Sequence, residues 1–568
     1  MDVEAEYWRW VDCATMPSAE DLSALRNDDA TRKDAFCRNL AFGTGGLRGI
    51  IGVGPNRMND YTVAKATQGL ADYLNTRYKQ PSVAIAHDSR LKSDEFCRTT
   101  ACVLAANNIK TFMYPRIEPT PALSFAVRDL GCSAGICITA SHNPAEYNGY
   151  KVYGADGCQI TTDVAASIQA AIDVVDIFEG VKSLSFDDAV KRNLVEWIDD
   201  ATIERFISGC LESSLSNANG ALKVAYTPLH GTGLECILKV LARIGVDDVV
   251  VEPLQAIPDG HFPTCPYPNP ENREALERGM AFAAEVNADL LLATDPDADR
   301  IGIAVFRNGE PTLLTGNEVG ILLLDYICEM RAARNEDLRD AVVCTTIVSS
   351  AMADALCMDR GFELRRTLTG FKFIGEQIGL LEAEGQANRF MFGFEESCGY
   401  LAGTQVRDKD AMVASMLICE AARWYREGGM DLIDAMESLY DRYGYYRSGL
   451  VSITYPGADG ANMIIRIMSR LRMDTPSTIA GLPVESVVDY ASGVAMSIIG
   501  GRWDTAVQQL PPAEVLEFRL SGGNKLIVRP SGTEPKIKAY LFSHGSFVGD
   551  ADDLLNRMKA SAHELLGS

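Results

Sequence analysis

The sequence has no pair of cysteines in CxxC spacing, no run approaching the ~18 apolar residues that span a bilayer, and no basic, apolar leader. Each absence excludes something. Without CxxC pairs, the fifteen cysteines, scattered from Cys13 to Cys419, read as reduced thiols rather than a zinc knuckle or redox pair. Without a long apolar run, nothing is expected to cross a membrane. The N-terminal MDVEAEYWRWVDC is acidic where a signal peptide is basic, so the chain is expected to be cytoplasmic. Positive charge is also short: 53 Lys+Arg face 77 Asp+Glu, a formal balance of −24. A surface of that sign repels nucleic acid and anionic membrane, and neither is expected as a partner. A small anionic substrate remains compatible, provided that Lys and Arg gather locally around it.

What is present is an ordinary globular composition, 47% hydrophobic and 23% charged, over 568 residues. At roughly 100–200 residues per domain, that length allows about three to five domains with cores of their own. SVAIAHDSR (82–90), LKVAYTPLHGTG (222–233) and AVVCTTIVSS (341–350) share one grammar: a short apolar run, a polar or glycine-containing loop, then a helix-compatible stretch. Repetition of that unit predicts α/β architecture with ligand loops at the carboxyl ends of strands. After about residue 450 the pattern becomes helix, then strands alternating with turns, then a closing helix, which predicts an α+β segment. Four domains follow: 1–215, 216–316, 317–445 and 446–568.

Four loops carry chemistry. In CITASHNPAEYNGYKVYGADG (137–157) an apolar run ends at Thr139-Ala140-Ser141-His142-Asn143-Pro144, and the proline breaks regular structure just past the serine. Ser141 is expected on a constrained turn with its hydroxyl toward a ligand; a plain Ser/Asn turn or helix cap is the alternative. Lys151 is a cation able to act as acid or base if its pKa is lowered, and by itself is equally a surface lysine. In ADLLLATDPDADRIGIAVF (288–306) a buried strand runs into Asp295, Asp297 and Asp299 at alternate positions, followed by Arg300. Alternation along an extended loop would put three carboxylates on one side, an all-oxygen set that suits a hard divalent cation. An EF-hand would need Gly and Glu where Arg300 and Phe306 stand, and the Ala298-Asp299-Arg300 continuation departs from that of Asp-nucleophile phosphatases. A solvated acidic turn is the bland reading.

The third loop, FMFGFEESCGYLAG (390–403), offers paired glutamates with glycines around them and then Ser397, acceptors and a donor for sugar hydroxyls. Lys372 stands upstream in the glycine turn TLTGFKFIGE, and VRDKDA (406–411) adds alternating charge downstream. The fourth, KLIVRPSGTEPKIKAYL (525–541), places Arg529, Ser531, Gly532 and Thr533 in a turn where a guanidinium, two hydroxyls and backbone N–H groups can converge on a phosphate dianion. A plain hairpin turn is its alternative.

In this order the four loops resemble those of the α-D-phosphohexomutase superfamily. The strings GTGGLRG, YTPLHGTG, TGFKFIGE and GFEES look most like its phosphoglucomutase and phosphopentomutase branch. The resemblance implies three similar α/β domains with mixed sheets and a C-terminal α+β domain around a central cleft. It implies that Ser141 is the phosphoserine, that Asp295, Asp297 and Asp299 bind Mg²⁺ together with a phosphoryl oxygen on Ser141, and that Arg300 helps hold the phosphoryl group. Lys151 and Arg48 would be general acid/base groups or transition-state cations, with His142 supporting the serine. Glu395, Ser397 and Lys372 would read the sugar, and Arg529, Ser531, Gly532 and Thr533 would grip the phosphate not being transferred. The implied reaction converts glucose 1-phosphate to glucose 6-phosphate through glucose 1,6-bisphosphate, which also serves as activator, in a monomer or small homo-oligomer. Phosphopentomutase, phosphomannomutase and glucose-1,6-bisphosphate synthase activities stay open within the class. An Asp-nucleophile sugar phosphatase stays open outside it, whereas a catalytically silent sugar-phosphate sensor would be expected to lose the serine or an aspartate, and this sequence retains them all.

Overall fold

Strands Ala134–Ile138 and Leu290–Thr294 are buried at every position, and Ser82–His87 at every position but the first. Continuous apolar runs of this kind are what strands covered on both faces require. The computed structural model describes all residues except 16–17, 44, 217, 456–459, 500–501, 532–535 and 568. Among the described residues the strands form four sheets.

The first sheet has the order Gly46–Ile50, Tyr147–Gly154, Ala134–Ile138, Ser82–His87, Lys110–Met113, Val195–Trp197. It is mixed: Ser82–His87 runs parallel to both neighbours, whereas Tyr147–Gly154 is antiparallel to both of its own. The second runs Glu310–Leu314, Ile301–Arg307, Leu290–Thr294, Val224–Thr227, Val249–Val251 and is also mixed. The third has the order Glu363–Thr367, Val342–Thr346, Phe390–Glu395, Gly399–Ala402 and contains a parallel pair. The fourth is antiparallel throughout its recorded pairings, its longest being Tyr445–Thr454 against Lys536–Gly545 over ten positions. Helices Gly460–Met473 and Val548–Leu566 accompany it. The expected sequence of α/β sheets followed by an α+β segment is therefore the fold observed.

Each of the three strand–loop–helix units read from sequence forms: Ser82–His87 leads to helix Ser93–Ala106, Val224–Thr227 to Leu234–Arg243, and Val342–Thr346 to Met352–Arg360. The chain divides into two compact units. One comprises Met1–Leu314, Ile374–Phe392 and Ser397–Trp424; the other comprises Thr315–Phe373, Gly393–Glu396 and Tyr425–Ser568. The first unit's core includes Val83, Ile85, Leu104, Ile136 and Val152, all at most 1% exposed, each contributing about 1.5–3 kcal/mol by burial. That apolar body holds the strand end from which the serine loop leaves, and a separate cluster with Ala225, Leu276, Leu291 and Ala293 backs the strand that leads to the aspartates. No helix among the described residues is long and apolar enough to cross a membrane.

Candidate active site

The serine loop leaves the buried end of Ala134–Ile138 and returns as Tyr147–Gly154. Ser141 has φ 52°, in the left-handed region that non-glycine residues avoid, and its backbone N–H donates to Thr139 Oγ1 at 2.8 Å. The expected constrained turn is present. Ser141 Oγ, in a residue only 3% exposed, donates to Asp295 Oδ2 at 2.7 Å and lies 3.2 Å from His142 Nδ1.

The aspartate loop differs from the extended segment that the alternation implied. It is a turn: Ala298 N–H donates to the Asp295 carbonyl at 2.9 Å, and Ala298 has φ 49°. Turning, rather than alternation along a strand, brings the three carboxylates together, with one oxygen of each within 4.8 Å of the others. Asp295 Oδ1 is occupied by the backbone N–H groups of Asp299 and Arg300 at 3.2 and 3.1 Å. Asp297 Oδ1 and Asp299 Oδ1 are buried and accept no hydrogen bond. Two orphaned carboxylate oxygens in an all-oxygen set are the vacancy in bonding that a hard divalent cation satisfies, so these residues fit Mg²⁺.

Electrostatics follow from that crowding. Burial, together with the charges of Asp297 and Asp299, pushes the Asp295 carboxyl well above the usual range. Asp297 is moved the other way: burial opposes its charge, but the Lys151 ammonium beside it prevails. Lys151 Nζ donates to Asp297 Oδ2 at 2.7 Å and reaches Asp299 Oδ2 at 3.4 Å. Although burial disfavours its charge, those two carboxylates raise its pKa, opposite to the lowering that a base at this position needs. Lys151 is thus ion-paired with both aspartates. Burial and the guanidinium groups of Arg300 and Arg48 push the His142 imidazole well below its usual range. Arg48 donates to Asn143 Oδ1 at 3.3 Å, and Arg300 to Glu271 Oε1 at 2.6 Å.

Several participants carry no sequence signal of their own. Lys409, within VRDKDA, places Nζ 3.1 Å from Asp299 Oδ2 and 3.0 Å from Asp408 Oδ1. Tyr153, two residues after Lys151, donates its hydroxyl to Asp408 Oδ2 at 2.9 Å. Thr120 binds Asp297 twice, Oγ1 to Oδ2 and backbone N–H to carbonyl, both at 2.9 Å. Alternating charge in VRDKDA was the one available hint, and it did not say which loop Lys409 would meet.

Ser397 lies in the first unit, in the turn between strands Phe390–Glu395 and Gly399–Ala402. In the second unit Glu395, 4% exposed, accepts the Gly370 N–H at 2.7 Å, which joins the glutamate strand to the TGFKF turn carrying Lys372. Lys372 is itself buried, with Nζ 5.1 Å from the Phe373 ring centroid. Arg529 stands opposite Lys538 in the C-terminal sheet, and Ser531 N–H donates to the Lys536 carbonyl at 2.7 Å. Gly532 and Thr533 lie outside the described residues.

Comparison with known proteins accords with this arrangement. Residues 39–176, 203–309 and 315–443 match, in order, the phosphoglucomutase/phosphomannomutase α/β/α domains I, II and III. A phosphoglucomutase of Staphylococcus epidermidis is 35% identical over 537 residues, covering 94% of this chain and 95% of that protein. One from Staphylococcus aureus is 36% identical over 516 residues, 90% of each. Among solved structures, a phosphoglucomutase/phosphomannomutase family protein from Burkholderia thailandensis shares the fold with TM-score 0.65 and 17% identity, over 93% of this chain and 98% of that one. The open form of parafusin, a Paramecium phosphoglucomutase, does so with TM-score 0.64 and 16% identity, over 93% and 95%. With the serine turn on the first matched domain facing the triple-aspartate turn on the second, the three successive domain matches and the 35–36% identical relatives make this chain a member of the phosphoglucomutase/phosphomannomutase family of the α-D-phosphohexomutase superfamily, a family of mutases.

Proposed function

We propose that the protein is a phosphoglucomutase that shuttles a phosphoryl group through Ser141. The observation that carries this reading is the 2.7 Å approach of Ser141 Oγ to a buried aspartate cluster with two unsatisfied oxygens. Phosphoryl transfer asks a protein mainly for position and compensating charge, and this cluster offers both. In the first half-reaction the Oγ–P bond of phosphorylated Ser141 breaks and a bond forms from phosphorus to a free hydroxyl of the sugar monophosphate. The attacking hydroxyl loses one proton and Oγ gains one, so the half-reaction is proton-neutral. The bisphosphate reorients, and its other phosphate returns to Ser141 by the reverse of the same step. His142 Nδ1, 3.2 Å from Oγ, is placed to orient the serine hydroxyl. Lys151 and Arg48 supply fixed positive charge beside the transferring group, and Arg300 flanks the aspartates.

Asp295, Asp297 and Asp299 would hold Mg²⁺, whose chemistry when bound is to neutralise charge on the phosphoryl oxygens. Glu395, Ser397 and Lys372 are read as sugar contacts, and Arg529, Ser531, Gly532 and Thr533 as the distal phosphate grip. Glucose 1,6-bisphosphate is the corresponding activator. The 35–36% identical relatives named phosphoglucomutase favour glucose over pentose or mannose phosphate. The fifteen free thiols favour a reducing compartment, the cytoplasm.

The test is a substrate profile of purified protein with Mg²⁺ and catalytic bisphosphate. Glucose 1-phosphate should be turned over far faster than ribose or mannose 1-phosphate. Ser141→Ala should abolish turnover while leaving the thermal unfolding midpoint unchanged; substantial mutase activity in that variant would contradict the assignment.

A further inference from the structure

The serine and the aspartates come from different matched domains, residues 39–176 and 203–309, so the reaction requires those two loops to be registered against each other. Thr120 provides one tie, through its two hydrogen bonds to Asp297. A second lies beneath the serine loop. Arg90, in the HDSR string after strand Ser82–His87, has a side chain that is 0% exposed. Its Nη1 donates to the carbonyls of Pro144 at 2.8 Å and Tyr147 at 3.1 Å. Its Nη2 donates to the carbonyl of Ser141 at 2.6 Å and also to that of Asn143. Four main-chain carbonyls of one loop thus converge on one guanidinium.

Asp88 completes the frame. Its Oδ2 lies 3.3 Å from Arg90 Nε and accepts Thr139 Oγ1 at 2.6 Å, the same hydroxyl oxygen that receives the Ser141 N–H. The carbonyl and the N–H of Ser141 are therefore both held, directly or through one residue, by the Asp88–Arg90 pair. That holds the serine at its left-handed φ against the strain of a non-glycine residue.

The guanidinium also packs against a ring of the second matched domain. The Phe262 ring centroid lies 4.9 Å from Arg90 Cζ, and Phe262 is fully buried. Two residues earlier, a Cβ on Gly260 would stand 2.5 Å from Leu91 N and 2.8 Å from Arg90 C, so the phenylalanine loop rests directly on the arginine's backbone.

We propose that Arg90, capped by Phe262, is a positioning residue for Ser141: it holds the nucleophile loop and sets it against the domain that carries the aspartates. This rests on the reading of Ser141 as the phosphoryl carrier. Arg90 touches neither the hydroxyl nor the aspartate oxygens of the candidate metal site, so its loss should leave Mg²⁺ affinity and substrate KM near wild type and lower the rate of transfer. Lysine cannot reproduce a planar fork serving four carbonyls, so Arg90→Lys is not a conservative change here.

The experiment compares wild type, Arg90→Lys and Phe262→Leu by unfolding midpoint, Mg²⁺ affinity, KM, kcat and the single-turnover rate of labelling from glucose 1,6-bisphosphate. A displacement of ~1 Å at a reacting atom costs ~100-fold in rate. Arg90→Lys should therefore lower kcat and labelling rate by about that factor and Phe262→Leu by ~10-fold, with KM and Mg²⁺ affinity within about threefold. Labelling and kcat within twofold of wild type in both folded variants would overturn the proposal. So would a fall in Mg²⁺ affinity and midpoint and a rise in KM in step with the loss of kcat, which marks a general loss of structure. If Arg90→Lys fails to fold, Phe262→Leu alone decides by the same criteria. Peptide mapping of labelled wild type keeps the two readings apart: phosphate found elsewhere than Ser141 sinks the functional reading, whereas phosphate on Ser141 with unchanged variant rates sinks only this one.

Discussion

Ser141, His142 and Asp295 form a short chain of contacts in which a strained serine faces both an imidazole and a carboxyl group. Among the described residues, Asp297 Oδ1 and Asp299 Oδ1 are buried carboxylate oxygens without a hydrogen bond, and in an all-oxygen set they point to a cation. That makes metal affinity sensitive to groups that fix the aspartates without binding metal. Thr120 Oγ1 donates to Asp297 Oδ2, and removing such an outer contact costs ~10–100-fold in metal affinity. Thr120→Val keeps the side-chain shape and the backbone N–H bond to Asp297, so the lower end is expected. Calorimetric titration with Mg²⁺ should show about a tenfold weaker Kd, and an unchanged Kd would show that this hydroxyl does not orient the ligand.

At the scale of elements, close backbone approach does what side chains do elsewhere. The YTPLHGTG loop lies against the aspartate turn: Thr232 N–H donates to the Pro296 carbonyl at 2.9 Å, and a Cβ on Gly231 would stand 2.4 Å from Pro296 Cα. Gly231→Ala must push the two loops apart, at a cost of about 1–3 kcal/mol, and should weaken Mg²⁺ binding as well as lower the unfolding midpoint. A variant with native midpoint and native Mg²⁺ affinity would mean that the loops have slack.

The second unit holds a different element-scale tension. Lys525, at the start of strand Asn524–Pro530, donates to the Ile347 carbonyl at 2.7 Å and stacks on Phe542. Burial, aided by the positive charge of Arg366, brings its pKa from 10.5 to about 7, with Glu517 and Asp354 opposing and Arg519 adding to the shift. The folded state then binds fewer protons than the unfolded one between pH 7 and 10.5, so stability rises with pH across that window and falls as pH drops toward 7. Lys525→Met removes the slope. Its unfolding midpoint should exceed wild type at pH 7, with a gap that narrows by about pH 9.5; a gap independent of pH would refute the assignment.

These elements also show what a single sequence can disclose. The serine turn, the gathering of the three aspartates and the three strand–loop–helix units were legible because each is one continuous string whose chemistry is local. Thr120 and Asp297 lie 177 positions apart, and nothing in the string EPTPA announces that its threonine meets a carboxylate. Arg90 and Lys409 escaped for the same reason: their roles arise from neighbours delivered by tertiary folding. The extended shape assigned to the aspartate loop failed because Ala298 adopts left-handed φ, a choice that no residue type in DPDADR demands.

For the whole molecule, the balance of −24 acquires a location. Around the aspartates, Lys151, Arg300 and Lys409 meet the carboxylates of Asp297, Asp299 and Asp408, with Glu271 beyond, while Asp295 adds a further carboxyl and Arg48 holds the Asn143 amide. Cations there are matched by carboxylates, so a local excess of positive charge depends on a bound divalent cation. Sugar phosphate binding should accordingly need Mg²⁺ and weaken with ionic strength, KM rising severalfold between about 20 and 200 mM salt. A KM indifferent to salt would argue that phosphate recognition owes little to this field.

The central claim is that Ser141 carries the phosphoryl group in transit. Incubating the protein with labelled glucose 1,6-bisphosphate and Mg²⁺, then locating the label by peptide mass mapping, tests it most directly. One phosphate on Ser141, chased off by glucose 1-phosphate, is the predicted result; label on Asp295, with release of inorganic phosphate, would contradict it.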